Sequence, residues 1–273
     1  MLGNVSGRHR SPIRGSSLEF AEYRKYVAGD DPRRLDWRAW GRSNRFYIKE
    51  FEADTNLRLC LIVDTSGSLN YAAGGASKLD LAKALAGTLA YLAANQGDAV
   101  GLYGAGTEFH TVIRPRRNAA HLRVVLEHIA ALKAAGGTGL AETLHQAAES
   151  IGQRALVVIL SDLFLEPDEL GRCFQHLRFR KHDVAVFHLL DQSEIDFRFD
   201  RPTRFVDLEG GAAVLTDPLL VGRQYRQAMQ RYLADLTTLV REAAVDYHRV
   251  NLGDAAGEVL SRFLIGRRPK LKK

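Results

Sequence analysis

Leu59-Cys60-Leu61-Ile62-Val63-Asp64-Thr65-Ser66-Gly67-Ser68 is an apolar run that empties into an Asp-x-Ser-x-Ser loop. A run of Leu, Ile and Val bounded by turn residues reads as a strand buried on both faces. Open α/β sheets place their ligand sites just past the carboxyl ends of such strands. One carboxylate and two hydroxyls at alternate positions, Asp64, Ser66 and Ser68, can then point into one crevice and share a hard cation. Magnesium suits such a donor set, because it prefers oxygen, takes few protein ligands and keeps waters or a partner's group in its remaining octahedral positions. The competing reading is an Asp/Ser turn closed by local bonds from side chain to backbone.

Two segments further along converge on the same place. Gly136-Gly137-Thr138 opens a helical pattern, with Leu140, Leu144, Ala147, Ala148 and Ile151 at helical spacing. Leu156-Val157-Val158-Ile159-Leu160 is a second buried-strand run and ends in Ser161-Asp162. If both apolar runs are parallel strands of one sheet, Asp64 and Asp162 leave the same edge, and Thr138 reaches them from a glycine-rich loop. Asp162 could also cap a following turn or helix.

This constellation resembles the metal-ion-dependent adhesion site of von Willebrand factor type A domains. In that family the first loop supplies Asp-x-Ser-x-Ser, the second a Thr, and the third an Asp that often acts through water. By motif, the resemblance implies metal ligation by Asp64, Ser66, Ser68, Thr138 and Asp162. Upstream, Leu18-Glu19-Phe20-Ala21-Glu22-Tyr23-Arg24 and Gly29-Asp30-Asp31-Pro32-Arg33-Arg34-Leu35-Asp36-Trp37 resemble the signature of a bacterial group of such proteins, the domain-of-unknown-function family 58. With Asp207-Leu208-Glu209-Gly210 and the Asp246-Tyr247 segment, the likeness covers nearly the whole chain. The usual Met after the last Ser of the first loop is Leu69 here, an apolar change that touches no ligand.

The rest of the pattern is strand and helix in alternation. Lys78 to Asn95 reads as an amphipathic helix with Leu79, Ala82, Leu85, Leu89 and Leu92 on one stripe, and Ala99 to Tyr103 as the next strand. Glu108 to Ile113 reads as an antiparallel neighbour, with helices expected over His121 to Leu132, Thr138 to Ile151 and Asp168 to Arg178, and a strand over Val184 to Leu190. A hairpin of Phe205 to Leu208 with Ala213 to Leu215 is expected around Gly210-Gly211. It is followed by a long helix over Leu219 to Arg241, a strand over Val245 to Val250 and a closing helix over Ala256 to Leu264. Such alternation specifies an α/β fold: a mainly parallel, Rossmann-like sheet with helices on both faces, von Willebrand factor A-like, plus a small N-terminal extension. The expected boundaries are a basic, aromatic extension over 1–56 packed on the main domain, the von Willebrand factor A-like domain over 57–265, and a basic tail over 266–273. Within the extension, Asp30, Asp31, Arg33, Arg34 and Asp36 read as an ion-pair network beside Trp37.

The net charge of +6 is unevenly spread. Residues 1–50 hold eleven Lys or Arg against six acids and residues 262–273 hold six against none, so the body between is mildly acidic. Basic ends serve solubility, or steer an acidic partner. The two cysteines, Cys60 and Cys173, give no disulfide framework, and the absence of an apolar leader or membrane-length run reads as a cytoplasmic protein.

Three other chemistries fit less well. Phosphoryl transfer onto Asp64 would call for a carboxylate two residues on as general acid, and Ser66 stands there with the wrong pKa for that work. Nucleic-acid binding by the aromatic, basic extension is interrupted throughout by acids. The glycines around Gly101, Gly104 and Gly106 are followed by a strand rather than a helix N-terminus, which defeats a phosphate cradle. The resemblance therefore carries the functional expectation: no enzyme, but an adaptor in which Mg²⁺ (or Mn²⁺) binds an acidic residue of a protein partner. It further implies a MoxR-type AAA+ ATPase as that partner, in the assembly or remodelling of a larger complex.

Overall fold

The computed structural model describes residues 18–27, 35–43, 45–53, 57–72, 75–107, 109–199 and 201–267. The chain divides into two units, Met1–Asn56 and Leu57–Lys273. In the first, β1 (Leu18–Lys25) pairs antiparallel with β2 (Tyr47–Ala53), and the short helix α1 (Trp37–Ser43) lies between them in sequence. Asp36 precedes α1, is buried, and accepts a bond from the Ala39 amide at 3.3 Å. The rings of Trp40 and Phe46 stack at 6.0 Å. The segment Asp30 to Arg34, expected to form an ion-pair network, lies outside the described residues.

The second unit is built on a six-stranded sheet in the order β10-β7-β6-β3-β4-β5. Its strands are β3 (Arg58–Asp64), β4 (Ala99–Ala105), β5 (Phe109–Arg116), β6 (Leu156–Ser161), β7 (Asp183–Leu190) and β10 (Asp246–Asn251). All neighbours run parallel except β4 and β5. The α/β class and mainly parallel sheet expected from sequence are thus found. Side chains alternate across β3, and the two faces collect different helices. Leu59, Leu61 and Val63 pack with α2 (Lys78–Asn95), α3 (Ala119–Ala131) and α8 (Ala256–Gly266). Cys60 and Ile62 pack with α4 (Leu140–Ser150), α5 (Pro167–Phe179) and α7 (Pro218–Glu242). A strand buried on both faces can afford no polar residue until its end, and in β3 the first interior polar side chain is Asp64.

Edge strand β5 contains Arg114-Pro115-Arg116. Its pairing with β4 slips by one residue here, Leu102 facing Ile113 while Val100 faces Arg116. Gly101 lies under the bulge, where a Cβ would stand 2.8 Å from the Ile113 carbonyl oxygen and from Pro115.

Two local features depart from the sequence reading. The expected hairpin pairs farther from its turn and more briefly: β8 (Thr203–Phe205) meets β9 (Val214–Thr216), and residues 206–213 form the loop between them. Asp207 causes this, since its Oδ1 accepts the Glu209 amide at 2.8 Å and folds Asp207 to Glu209 into a turn instead of a strand. A short helix, α6 (Gln192–Asp196), also follows β7; Asp191 and Glu194 form its capping box. No helix among the described residues is long and apolar enough to cross a membrane.

Candidate metal centre

β3 and β6 are hydrogen-bonded neighbours, with Val63 opposite Leu160, so the residues that follow emerge side by side at one edge of the sheet. Asp64 is buried there. Its Oδ2 accepts the Ser161 hydroxyl at 2.5 Å and its Oδ1 accepts the Ser66 amide at 2.9 Å. Ser66 and Ser68 hold their hydroxyl oxygens 2.9 Å apart at the start of a 3₁₀ turn over Gly67–Asn70. The first loop therefore gathers Asp64, Ser66 and Ser68, as their alternate spacing requires.

The second loop is held by backbone on two sides. Ala135 N donates to Thr65 O at 2.9 Å and Gly67 N to Gly136 O at 2.8 Å, which tie it to the first loop, while Gly139 N donates to Gly106 O at 3.1 Å in the turn after β4. The approach to that turn needs Gly139, because a Cβ there would sit 2.5 Å from the Thr107 carbonyl oxygen. Thr138 is exposed at the crest of this loop, and its amide donates to Glu209 Oε2 at 3.0 Å.

In the third loop Asp162 is buried beside Asp64. Its carbonyl oxygen accepts a bond from His188 Nε2 at 2.9 Å. A carbonyl can only accept, so Nε2 carries the proton, and Nδ1 takes the Tyr247 hydroxyl at 2.7 Å. Burial pushes His188 down to about 3, which keeps this ring neutral. Leu163, next in line, adopts φ 53°, a left-handed conformation costly for a branched side chain; its carbonyl accepts the Tyr232 hydroxyl.

Lys78, the first residue of α2, was read from sequence only as a helix start. Its ammonium is fully buried and bridges Asp162 Oδ2 at 2.9 Å and Glu194 Oε1 at 2.7 Å, with the Phe164 ring 5.0 Å away. Burial opposes its charge, but the two carboxylates outweigh that and raise its pKa. A readable signal existed: a lysine opens α2, at the positive end of the helix dipole, where a cation is disfavoured unless something else holds it. Glu194 was signalled by its capping box, and Glu209 by the Asp207-Leu208-Glu209-Gly210 segment alone.

The electrostatics are unbalanced toward negative charge. Burial first, and then the charge of Asp162, push the Asp64 carboxyl up to about 7, against the bonds from Ser161 and Ser66. Asp162 and Glu194 share the Lys78 ammonium, Asp64 adds a further carboxyl beside Asp162, and a divalent cation would supply the charge that Lys78 does not. Among the described residues no group of three or more His, Cys, Asp or Glu side chains is placed to hold a metal, so a cation here depends on hydroxyl ligands. The all-oxygen set of carboxylate and paired hydroxyls fits Mg²⁺ or Mn²⁺ rather than a soft metal.

Comparison with known proteins accords with this architecture. The family model described as "Protein of unknown function DUF58" matches residues 22–237. Uncharacterized proteins of Mycobacterium tuberculosis and Mycobacterium bovis are each 29% identical over 244 residues, which is 88% of this chain and 76% of theirs. Among solved structures, the conserved hypothetical protein BatB from Bacteroides thetaiotaomicron superposes with a TM-score of 0.50 at 15% identity, covering 77% of this chain and 98% of that one. The SpRpn10 VWA domain gives a TM-score of 0.46 at 10% identity, over 76% of this chain and 95% of its own. At 15% identity the likeness to BatB speaks to the fold alone.

Proposed function

We propose, from the premise that the chain belongs to the DUF58 family, that it is a protein-binding adaptor whose grip on its partner depends on a divalent cation. Asp64, Ser66 and Ser68 would hold Mg²⁺ or Mn²⁺ from the first loop, with Thr138 and Asp162 contributing from the second and third. The cation would turn an acidic crevice into a receptor for another carboxylate. The observation that carries this reading is the buried pair Asp64 and Asp162 beside the Ser66–Ser68 hydroxyl pair, with the Lys78 ammonium divided between Asp162 and Glu194.

The residues have separate tasks. Ser161 and the Ser66 amide orient Asp64 from both oxygens. Lys78 engages Oδ2 of Asp162 and fixes that side chain, while His188 fixes its backbone. This arrangement favours holding a cation over catalysis: a carboxylate tied at both oxygens is a poor nucleophile, and the position two residues on is a serine rather than a general acid. The expectation of no enzymatic activity is kept on that ground.

The partner would be a protein presenting Asp or Glu, in the cytoplasm, and the family resemblance points to a MoxR-type AAA+ ATPase engaged in assembling or remodelling a larger complex. Calorimetry tests the metal. One Mg²⁺ or Mn²⁺ per chain is expected, with Asp64→Ala losing it while its circular dichroism stays unchanged. Equal binding by the variant would remove the centre described here. Turnover of phosphomonoesters or nucleotides that vanishes in Asp64→Asn would replace the adaptor with an enzyme.

A further inference from the structure

The loop between β8 and β9 touches both halves of the metal crest. Glu209 Oε2 accepts the Thr138 amide at 3.0 Å. The preceding carbonyl, of Leu208, lies so close to Gly67 that a Cβ there would stand 2.0 Å from its oxygen. Glu209 reaches this place on a prepared turn. Asp207 Oδ1 accepts the Glu209 amide, Gly210 takes φ 101°, and a Cβ on Gly211 would fall 2.1 Å from Asp207 Oδ2. A carboxylate is thus delivered to the exposed crest of the second loop.

The hairpin behind Glu209 has three paired positions and is anchored at its base by Phe205, whose ring stacks on Phe197 at 5.3 Å and meets Phe199 at 5.2 Å. Beyond that base Val206, Leu208, Val214 and Leu215 are all exposed. Two-stranded ribbons of this kind are marginal by themselves, and segments with few buried contacts open at low cost. A loop anchored at its base, exposed along its arms and seated at its tip describes an occupant whose tip can be exchanged while the hairpin stays in place.

We infer that the 207–211 loop is a built-in occupant of the crest, with Glu209 in the place of a partner's acidic side chain. A partner engages by displacing it with a segment that presents a glutamate on an extended or turned backbone. This deepens the adaptor reading and rests on it. It also sets a threshold. A tethered carboxylate competes at an effective concentration on the order of millimolar, so free carboxylate ligands bind weakly until the loop leaves.

The probe is the chain's own sequence as a short peptide, N-acetyl-Leu-Glu-Gly-amide, titrated into the full chain at saturating Mg²⁺. The readout is the amide NMR signal of Thr138. The peptide should bind Glu209→Ala at least about tenfold more tightly than wild type, since the tethered competitor is gone. Glu209→Gln should fall between, because its amide oxygen can still accept from Thr138 while its charge is lost. The same peptide with Gln for Glu should bind none of the three. Equal affinity for wild type and Glu209→Ala, or no binding to either, overturns the inference if calorimetry still finds Mg²⁺. A tenfold gain that persists after the metal is dialysed away upholds displacement and overturns the metal's part in the adaptor reading. Failure of both proteins to bind Mg²⁺ and peptide removes both.

Discussion

Burial and the neighbouring charge of Asp162 hold Asp64 at about 7 against an ordinary 3.8, which brings its titration to neutrality. Between those values the folded protein keeps a proton that the unfolded chain has released. This group therefore contributes most to stability below about pH 4, and its contribution is lost as pH rises through about 7. Without divalent cation, Asp64→Asn should melt above wild type at pH 8, and the gap should close toward pH 5; a gap independent of pH would mean that Asp64 is not the titrating group. Mg²⁺ needs the carboxylate, so its affinity should fall on acidification below neutrality and its binding should release protons. Lys78 offers the complementary test. Lys78→Met strands Asp162 and Glu194 without their ammonium and should cost roughly 3–5 kcal/mol in urea unfolding. Added Mg²⁺ should recover more of that loss than it adds to wild type. The side chains at positions 64, 66 and 68 were legible because one loop carries them at fixed spacing. For Lys78, Glu194 and Glu209 a local signal marks each residue but not their meeting with the site, because only the folded sheet brings their elements to one edge.

At the scale of elements, β3 is flanked on both sides by parallel neighbours and covered on both faces, so its amides should be the last to exchange with solvent. Leu61→Ala should cost roughly 2–5 kcal/mol in thermal or urea unfolding, the range for a cavity in a closed core. Gly139→Ala acts on the second loop without touching a side-chain ligand. Its Cβ would press on the Thr107 and Gly106 carbonyls at 2.5 and 2.8 Å, so it should lower stability by roughly 1–3 kcal/mol and weaken Mg²⁺ binding by moving Thr138. Most of these elements were readable. The helix expected over Lys78 to Asn95 is α2 residue for residue, since its apolar stripe and Ser77–Asp80 capping box agree. The expected hairpin is found but shortened: alternation in Phe205 to Leu208 suits a strand, while the Asp207 side chain closes a turn inside it and pairing stops at Phe205. Local hydrogen bonding overrode pattern there.

For the whole molecule, the division after Asn56 gives an expectation of its own: residues 57–273 expressed alone should melt cooperatively, because the described core of that unit is drawn from its own elements. The concentration of basic residues in the terminal segments adds a kinetic one. Their field reaches only about 8 Å at physiological salt. Removing Arg267 to Lys273 should slow association with an acidic partner and flatten its salt dependence, whereas removing the cation should shorten the complex's lifetime. The strand order leaves one antiparallel margin, β5, where the bulge at Arg114-Pro115-Arg116 breaks the regular ladder. An unbroken margin of that kind would be a template on which further copies could stack as cross-β polymer; a proline that lacks a donor and two like charges oppose the first addition. Seen this way the bulge serves solubility in crowded surroundings: Arg114→Val with Pro115→Val should leave the centre's ion affinity intact, yet shorten the time before light scattering rises on incubation.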